Sequence, residues 1–122
     1  MGLTMSIFEN RGVTTVPRPK FQTLTEQMYY VLLCLKEECC GMDIMERIPA
    51  MTGGRVQVGS GTLYNLLEQF AQAGMIRETR AEGRRRSYIL TDKGRETLSG
   101  EYRRICAQAW DYRAVFGEEA AK

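Results

Sequence analysis

Histidine is absent from the 122-residue sequence, which removes one of the usual groups for proton transfer and half of the usual ligands for a structural zinc ion. The four cysteines, Cys34, Cys39, Cys40 and Cys106, form no C-x-x-C pair. Adjacent Cys39 and Cys40 do not read as a disulfide framework either, so reduced thiols in a cytoplasmic protein are expected. A redox switch is the lesser reading. No metal-ligand cluster and no nucleophile–base pair can be assembled, so an enzyme is the weakest functional class and no cofactor is implied. No run of apolar residues approaches membrane-spanning length, and the first twenty residues lack the apolar region of a signal peptide. Internal repeats and low-complexity tracts are missing as well.

What is present fits one soluble domain, with 43% apolar and 26% charged residues. A chain of this size leaves much of its surface exposed, so self-association would help it. Net charge is only +2, but its distribution is uneven. Between positions 77 and 95 stand Arg77, Arg80, Arg84, Arg85, Arg86, Lys93 and Arg95 against Glu78, Glu82 and Asp92. That local excess is larger than the net charge of the whole chain, which suggests one face for a polyanion. The bland alternative is a solvated charged hairpin.

Periodicity gives the elements. Residues 1–22, with Arg11, Arg18, Lys20 and two prolines, read as a flexible arm. Thr23 and Glu26 have capping-box spacing, predicting a helix from about Leu24 to Glu38 that buries Leu24, Met28, Val31, Leu32 and Leu35. A second helix from about Met42 should bury Ile44, Ile48 and Met51 and be kinked or shortened by Pro49. A short strand carrying Val56 and Val58 is expected next. The following helix, capped by Ser60 or Thr62, has Leu63, Leu66, Leu67 and Phe70 on its inner face and stops at Gly74. Two strands at about 76–80 and 86–90 form a hairpin turning at Gly83. Thr91 caps a last helix reaching about Phe116.

The expected fold is mainly α with a small β-hairpin: a winged helix-turn-helix over 23–91, a dimerisation helix over 92–117, and a tail at 118–122. The apolar stripe of the last helix, Leu98, Tyr102, Ile105, Ala109, Trp110 and Phe116, would be left uncovered in a single copy, so a homodimer is expected. In such a fold the helix beginning Ser60, Gly61, Thr62 enters the major groove of double-stranded DNA. Gly61 allows close backbone approach, Ser60 and Thr62 can donate to phosphate, Tyr64 can reach phosphate, and Asn65 can pair with adenine. Ser60 and Thr62 as simple caps, with Tyr64 packed on a neighbouring turn, is the competing structural reading. Arg84, Arg85 and Arg86 at the wing tip would set affinity more than specificity.

The segments "LTEQMYYVLLCLKEE", "GTLYNLLEQFAQAGMI" and "GRRRSYILTDKG", with the long final helix, resemble the PadR family of bacterial transcriptional regulators, the smaller subfamily with a single C-terminal helix. The resemblance implies a dimeric DNA-binding repressor whose C-terminal helices pair and which a small molecule often releases from its operator. It also implies contacts from Ser60, Thr62, Tyr64 and the wing arginines. Two positions depart from the family pattern: Cys40, Gly41 and Met42 stand where His-Gly-Tyr is common, and Gly61 replaces a frequent proline. Tyr29, Tyr30, Tyr102 and Trp110 are the candidate walls of an effector pocket between the first and last helices, with packed core as the alternative. A protein-interaction module that uses a winged-helix scaffold without DNA is the competing function.

Overall fold

The computed structural model describes residue 21 and residues 23–117; most of the expected N-terminal arm and the tail lie outside them. The element order is α1 (Glu26–Cys34), β1 (Cys39–Cys40), α2 (Gly41–Thr52), α3 (Ser60–Gln72), β2 (Ile76–Glu82), β3 (Arg85–Leu90) and α4 (Asp92–Phe116). The strands form an antiparallel sheet in the order β1-β3-β2. The fold is mainly helical with a small sheet, a winged helix-turn-helix followed by one long helix.

Apolar stripes on α1, α2 and α3 meet in a single core. Val31, Leu32, Leu35, Ile44, Ile48, Leu63, Leu67 and Phe70 are fully buried, and Met75, Ile76 and Leu90 close it from the sheet side. Phe21, expected in the arm, joins this core. Its ring meets Phe70 edge to face, with centroids 5.2 Å apart.

Several sequence expectations are corrected by where backbone groups find partners. Thr25, not Thr23, caps α1, its hydroxyl accepting from the Met28 N–H at 3.2 Å. The helix ends at Cys34, short of Glu38, because the chain turns there to enter β1. Pro49 does not shorten α2. The helix continues to Thr52, whose hydroxyl donates to the Ile48 carbonyl at 2.8 Å, and the Gly54 N–H returns to the Pro49 carbonyl at 2.8 Å. Met51 is exposed rather than buried. No strand forms at Val56 and Val58, although both are buried. The Val56 N–H donates to the Thr52 hydroxyl (3.0 Å) and the Gln57 carbonyl accepts from the Gln27 side chain (3.0 Å), so these groups are not available to a ladder.

The short strand lies instead at Cys39 and Cys40, which pair with Tyr88 and Ser87 of β3. The hairpin is longer than expected, extending to Glu82 opposite Arg85. Gly83 (φ 63°) stands first in its two-residue loop, the position where a tight hairpin turn needs a left-handed residue. A bulge falls between Glu78 and Arg80. The Thr79 hydroxyl there donates to the Glu38 carboxylate, which also accepts from Arg80 at 3.4 Å, so the turn after α1 grips the wing.

Thr91 caps α4 as expected, accepting from the Gly94 N–H at 3.1 Å. A side chain at Gly94 would put its Cβ 2.1 Å from the Met75 carbonyl oxygen, so only glycine lets this turn approach the base of the wing. Leu98 is half-buried against the chain's own core. The Glu101 carboxylate is buried, accepting from the Leu24 N–H at 3.0 Å and from Arg104 at 2.8 and 2.6 Å. Beyond it, every residue from 102 to 117 is exposed.

Candidate nucleic-acid interface

The inner face of α3 carries Leu63, Leu66, Leu67 and Phe70. Helical geometry therefore turns Tyr64, Asn65 and Glu68 outward, and all three are exposed. The helix N-terminus differs from expectation. Gly59 is the cap residue, with the Leu63 N–H reaching its carbonyl at 2.9 Å. Ser60 and Thr62 therefore do not serve as caps. Both are exposed, and among the described residues neither hydroxyl has a hydrogen-bond partner. A Cβ at Gly61 would meet no atom within 4 Å, so nothing inside the fold requires glycine there.

Tyr64 packs on a neighbouring element and keeps an exposed edge. Its ring lies against Gly41 at the start of α2, where an added methyl would stand 3.0 Å from the ring edge, yet 54% of the residue is exposed. The chain entering α2 is held by Asp43, whose Oδ2 accepts from the Cys40 N–H at 3.4 Å and the Cys40 thiol at 3.3 Å. Those two bonds hold the Asp43 carboxyl below the usual carboxylate range. Burial pushes the neighbouring Cys39 thiol up to about 11, so it stays protonated and unreactive near neutral pH.

Arg84 occupies the hairpin turn, and Arg85 and Arg86 begin β3. Arg86 pairs with Glu78 at 3.6 Å across the ladder, with both side chains substantially exposed, so the pair adds little stability. Arg84 and Arg85 form no ion pair with any described residue. The wing arginines and the exposed edge of α3 border one groove of about 660 Å³, lined also by Met42, Glu68, Tyr88 and Glu78. Tyr64, Arg84, Arg85 and Arg86 are thus brought together. Gln72, Glu78, Met42 and Tyr88 were missed at the sequence level as members of this groove. The α3 member could have been found, because Tyr64, Glu68, Ala71 and Gln72 form one outward stripe; Met42 and Tyr88 arrive only through tertiary folding.

This groove is lined by none of the four aromatics proposed for an effector pocket. Tyr29 and Tyr30 meet edge to face at 5.7 Å, and the Tyr30 hydroxyl accepts from Arg55 at 2.9 Å. Trp110 is 72% exposed and Tyr102 is exposed as well. A second cavity of about 700 Å³ is lined by Phe21, Gln69, Lys93 and Glu101 among others, and by none of those four aromatics. Among the described residues no group of three or more histidines, cysteines or acids could hold a metal ion, and no helix is long and apolar enough to cross a membrane.

Solved structures share this architecture. A PadR-like transcription factor from Bacteroides fragilis aligns at 25% identity, with 72% of this chain and 87% of that chain covered and a TM-score of 0.61. A PadR family transcriptional regulator from Eggerthella lenta aligns at 20% identity, covering 75% of this chain and 81% of that one, with a TM-score of 0.64. The PcaV transcriptional regulator from Streptomyces coelicolor, solved in complex with its natural ligand, aligns at 20% identity over 79% of this chain and 65% of that one, with a TM-score of 0.62. No curated protein matches the sequence significantly. The transcriptional regulator PadR-like family model matches residues 31–100, which hold α2, α3, the whole wing and part of α1, and the chain belongs to that family of DNA-binding regulators.

Proposed function

We propose that the protein is a homodimeric, sequence-specific repressor that binds double-stranded DNA through α3 and the β2–β3 wing and is released by a small-molecule effector. The observation that carries the reading is that Tyr64, on the outer face of α3, and the arginine-tipped hairpin border the same groove. In this reading Ser60, Thr62 and Tyr64 bind phosphate, Asn65 reads a base edge, and Gly61 lets the helix end approach the backbone closely. Arg84, Arg85 and Arg86 cross the phosphate backbone beside the groove and raise affinity for any sequence. The unhindered position of Gly61 and the unpartnered hydroxyls beside it support this division of roles.

Residues 92–117 form the dimerisation element. Tyr102, Ile105, Trp110, Tyr112, Val115 and Phe116 are exposed large hydrophobics on α4, and a copy related by a twofold axis would cover them. Ala109 lies on the same exposed stretch, whereas Leu98 contributes mainly to the chain's own core. An effector finds a parallel in PcaV, which was solved with its natural ligand.

Selection of bound duplexes from a random pool tests the reading. A paired half-site repeating at roughly 10 base pairs is the expected outcome. Failure to retain any duplex at low salt would overturn it and favour a protein-interaction module.

A further inference from the structure

We infer that the groove between α3 and the wing also binds a free nucleotide carrying an amino-substituted base, and that this occupant and duplex DNA exclude each other. The inference rests on the reading of this groove as the duplex-facing surface. It adds an activity to that surface: direct competition at the DNA site.

Three properties of the groove converge on this chemistry. Its volume, about 660 Å³, lies in the range of small-molecule sites. Its walls are more than a phosphate contact requires: the Tyr64 and Tyr88 side chains, Met42 and Ala71 give it an apolar interior suited to a planar ring. Charge is divided along its length. Arg84, Arg85 and Arg86 stand at the hairpin turn; Arg84 and Arg85 form no salt bridge with any described residue, although Arg85 lies within electrostatic reach of Asp43. Tyr88 and its ladder partner Glu78 lie further from the turn, and Glu68 and Gln72 face the same groove from α3.

A nucleotide matches that order. Its phosphate, at the end away from the base, meets the arginine fork geometry. Its base lies against tyrosine, and an exocyclic amine donates to Glu68, whose carboxylate makes no ion pair with any described residue. Glu78 is already engaged by Arg86, so Glu68 is the carboxylate free to accept from an amino base. A bare phosphate would use only the arginines, and a nucleoside only the apolar interior and Glu68.

Calorimetry on the full chain with AMP, adenosine and inorganic phosphate tests this, alongside duplex anisotropy on the same preparation. AMP should bind at least about tenfold more tightly than either fragment and displace the duplex in proportion to its occupancy. Arg85→Ala should weaken AMP by about tenfold. Glu68→Ala, which removes the acceptor, should bring AMP down to the affinity of purine riboside monophosphate, which lacks the amine, while leaving the latter unchanged. Both positions are exposed, and unchanged melting temperatures would show that the variants fold. AMP binding no more tightly than phosphate, or AMP binding without displacing the duplex, would overturn the inference. Duplex binding without AMP binding removes this inference alone; AMP binding by a protein that retains no duplex leaves the groove a nucleotide site and removes the regulator reading.

Discussion

The Tyr64 ring lies across Gly41, close enough that a single methyl at Gly41 would stand 3.0 Å from the ring edge and 3.1 Å from the hydroxyl. The start of α2 therefore fixes the direction of a side chain on the outer face of α3. Gly41→Ala should leave the melting temperature nearly unchanged, since Tyr64 is half-exposed and its ring can yield. Duplex affinity should fall by about three- to tenfold, as an affected phosphate contact costs about 1 kcal/mol. In a Tyr64→Ala background the same substitution should have no effect on binding, and a double-mutant cycle measures that coupling.

Gly61 gives the opposite test. A side chain there meets no atom of the fold, and alanine favours helix, so Gly61→Ala should raise stability by about 0.5–1 kcal/mol. If the backbone at this position approaches phosphate, duplex affinity should fall in the same variant. Denaturant titration and anisotropy together check the pair. Equal or tighter duplex binding by the variant would exclude the close approach.

Replacing Arg84, Arg85 and Arg86 by alanine should flatten the dependence of duplex affinity on salt. Each lost phosphate contact changes the log–log slope by about 0.9. A slope that matches the parent's across the salt range would show that the wing does not touch the backbone.

The exposed half of α4 predicts association. Sedimentation of the parent should give a dimer, and Trp110→Asp combined with Ile105→Asp should give a monomer. The winged unit of that monomer should keep its secondary structure, because neither side chain is part of the core. A parent that sediments as a monomer at micromolar concentration would count against the dimeric reading.

Glu101 predicts an acid-sensitive joint. Arg104, and then the Leu24 N–H, hold its carboxyl below the ordinary carboxylate range against the opposing effect of burial. Its contribution is therefore complete above the ordinary carboxylate pKa and is lost as pH falls through the lowered value. Glu101→Gln should cost about 1–3 kcal/mol at neutral pH and make stability less dependent on pH on the acid side. Chemical denaturation of parent and variant at several acidic pH values measures both effects.

Residues that bury one side of a helix or cap it openly made the architecture legible in advance. Leu63, Leu66, Leu67 and Phe70 marked α3, Thr91 marked α4, and Gly83 marked the hairpin turn. The outward set Tyr64 and Asn65 followed from the same period. Misreadings fell where side chains satisfied backbone groups over a distance. Gln27 and Thr52 occupy the backbone near Val56 and Val58, and no local pattern announces that. Cys39 and Cys40 became a strand because β3 offered them an edge, which only the folded hairpin provides. The floor of the groove stayed hidden for the same reason, since Met42 and Tyr88 lie far apart in sequence.

The two-residue strand has a mechanical result. Cys40 is at once the last rung beside Ser87 and the residue from which α2 departs, while Glu38, two positions earlier, clasps Thr79 and Arg80. The hairpin is thus rooted in the same few residues that aim α2 and, through Gly41, the Tyr64 ring. Lengthening that connection by one residue would swap which of its side chains face inward, and the wing and α3 would lose their common alignment together.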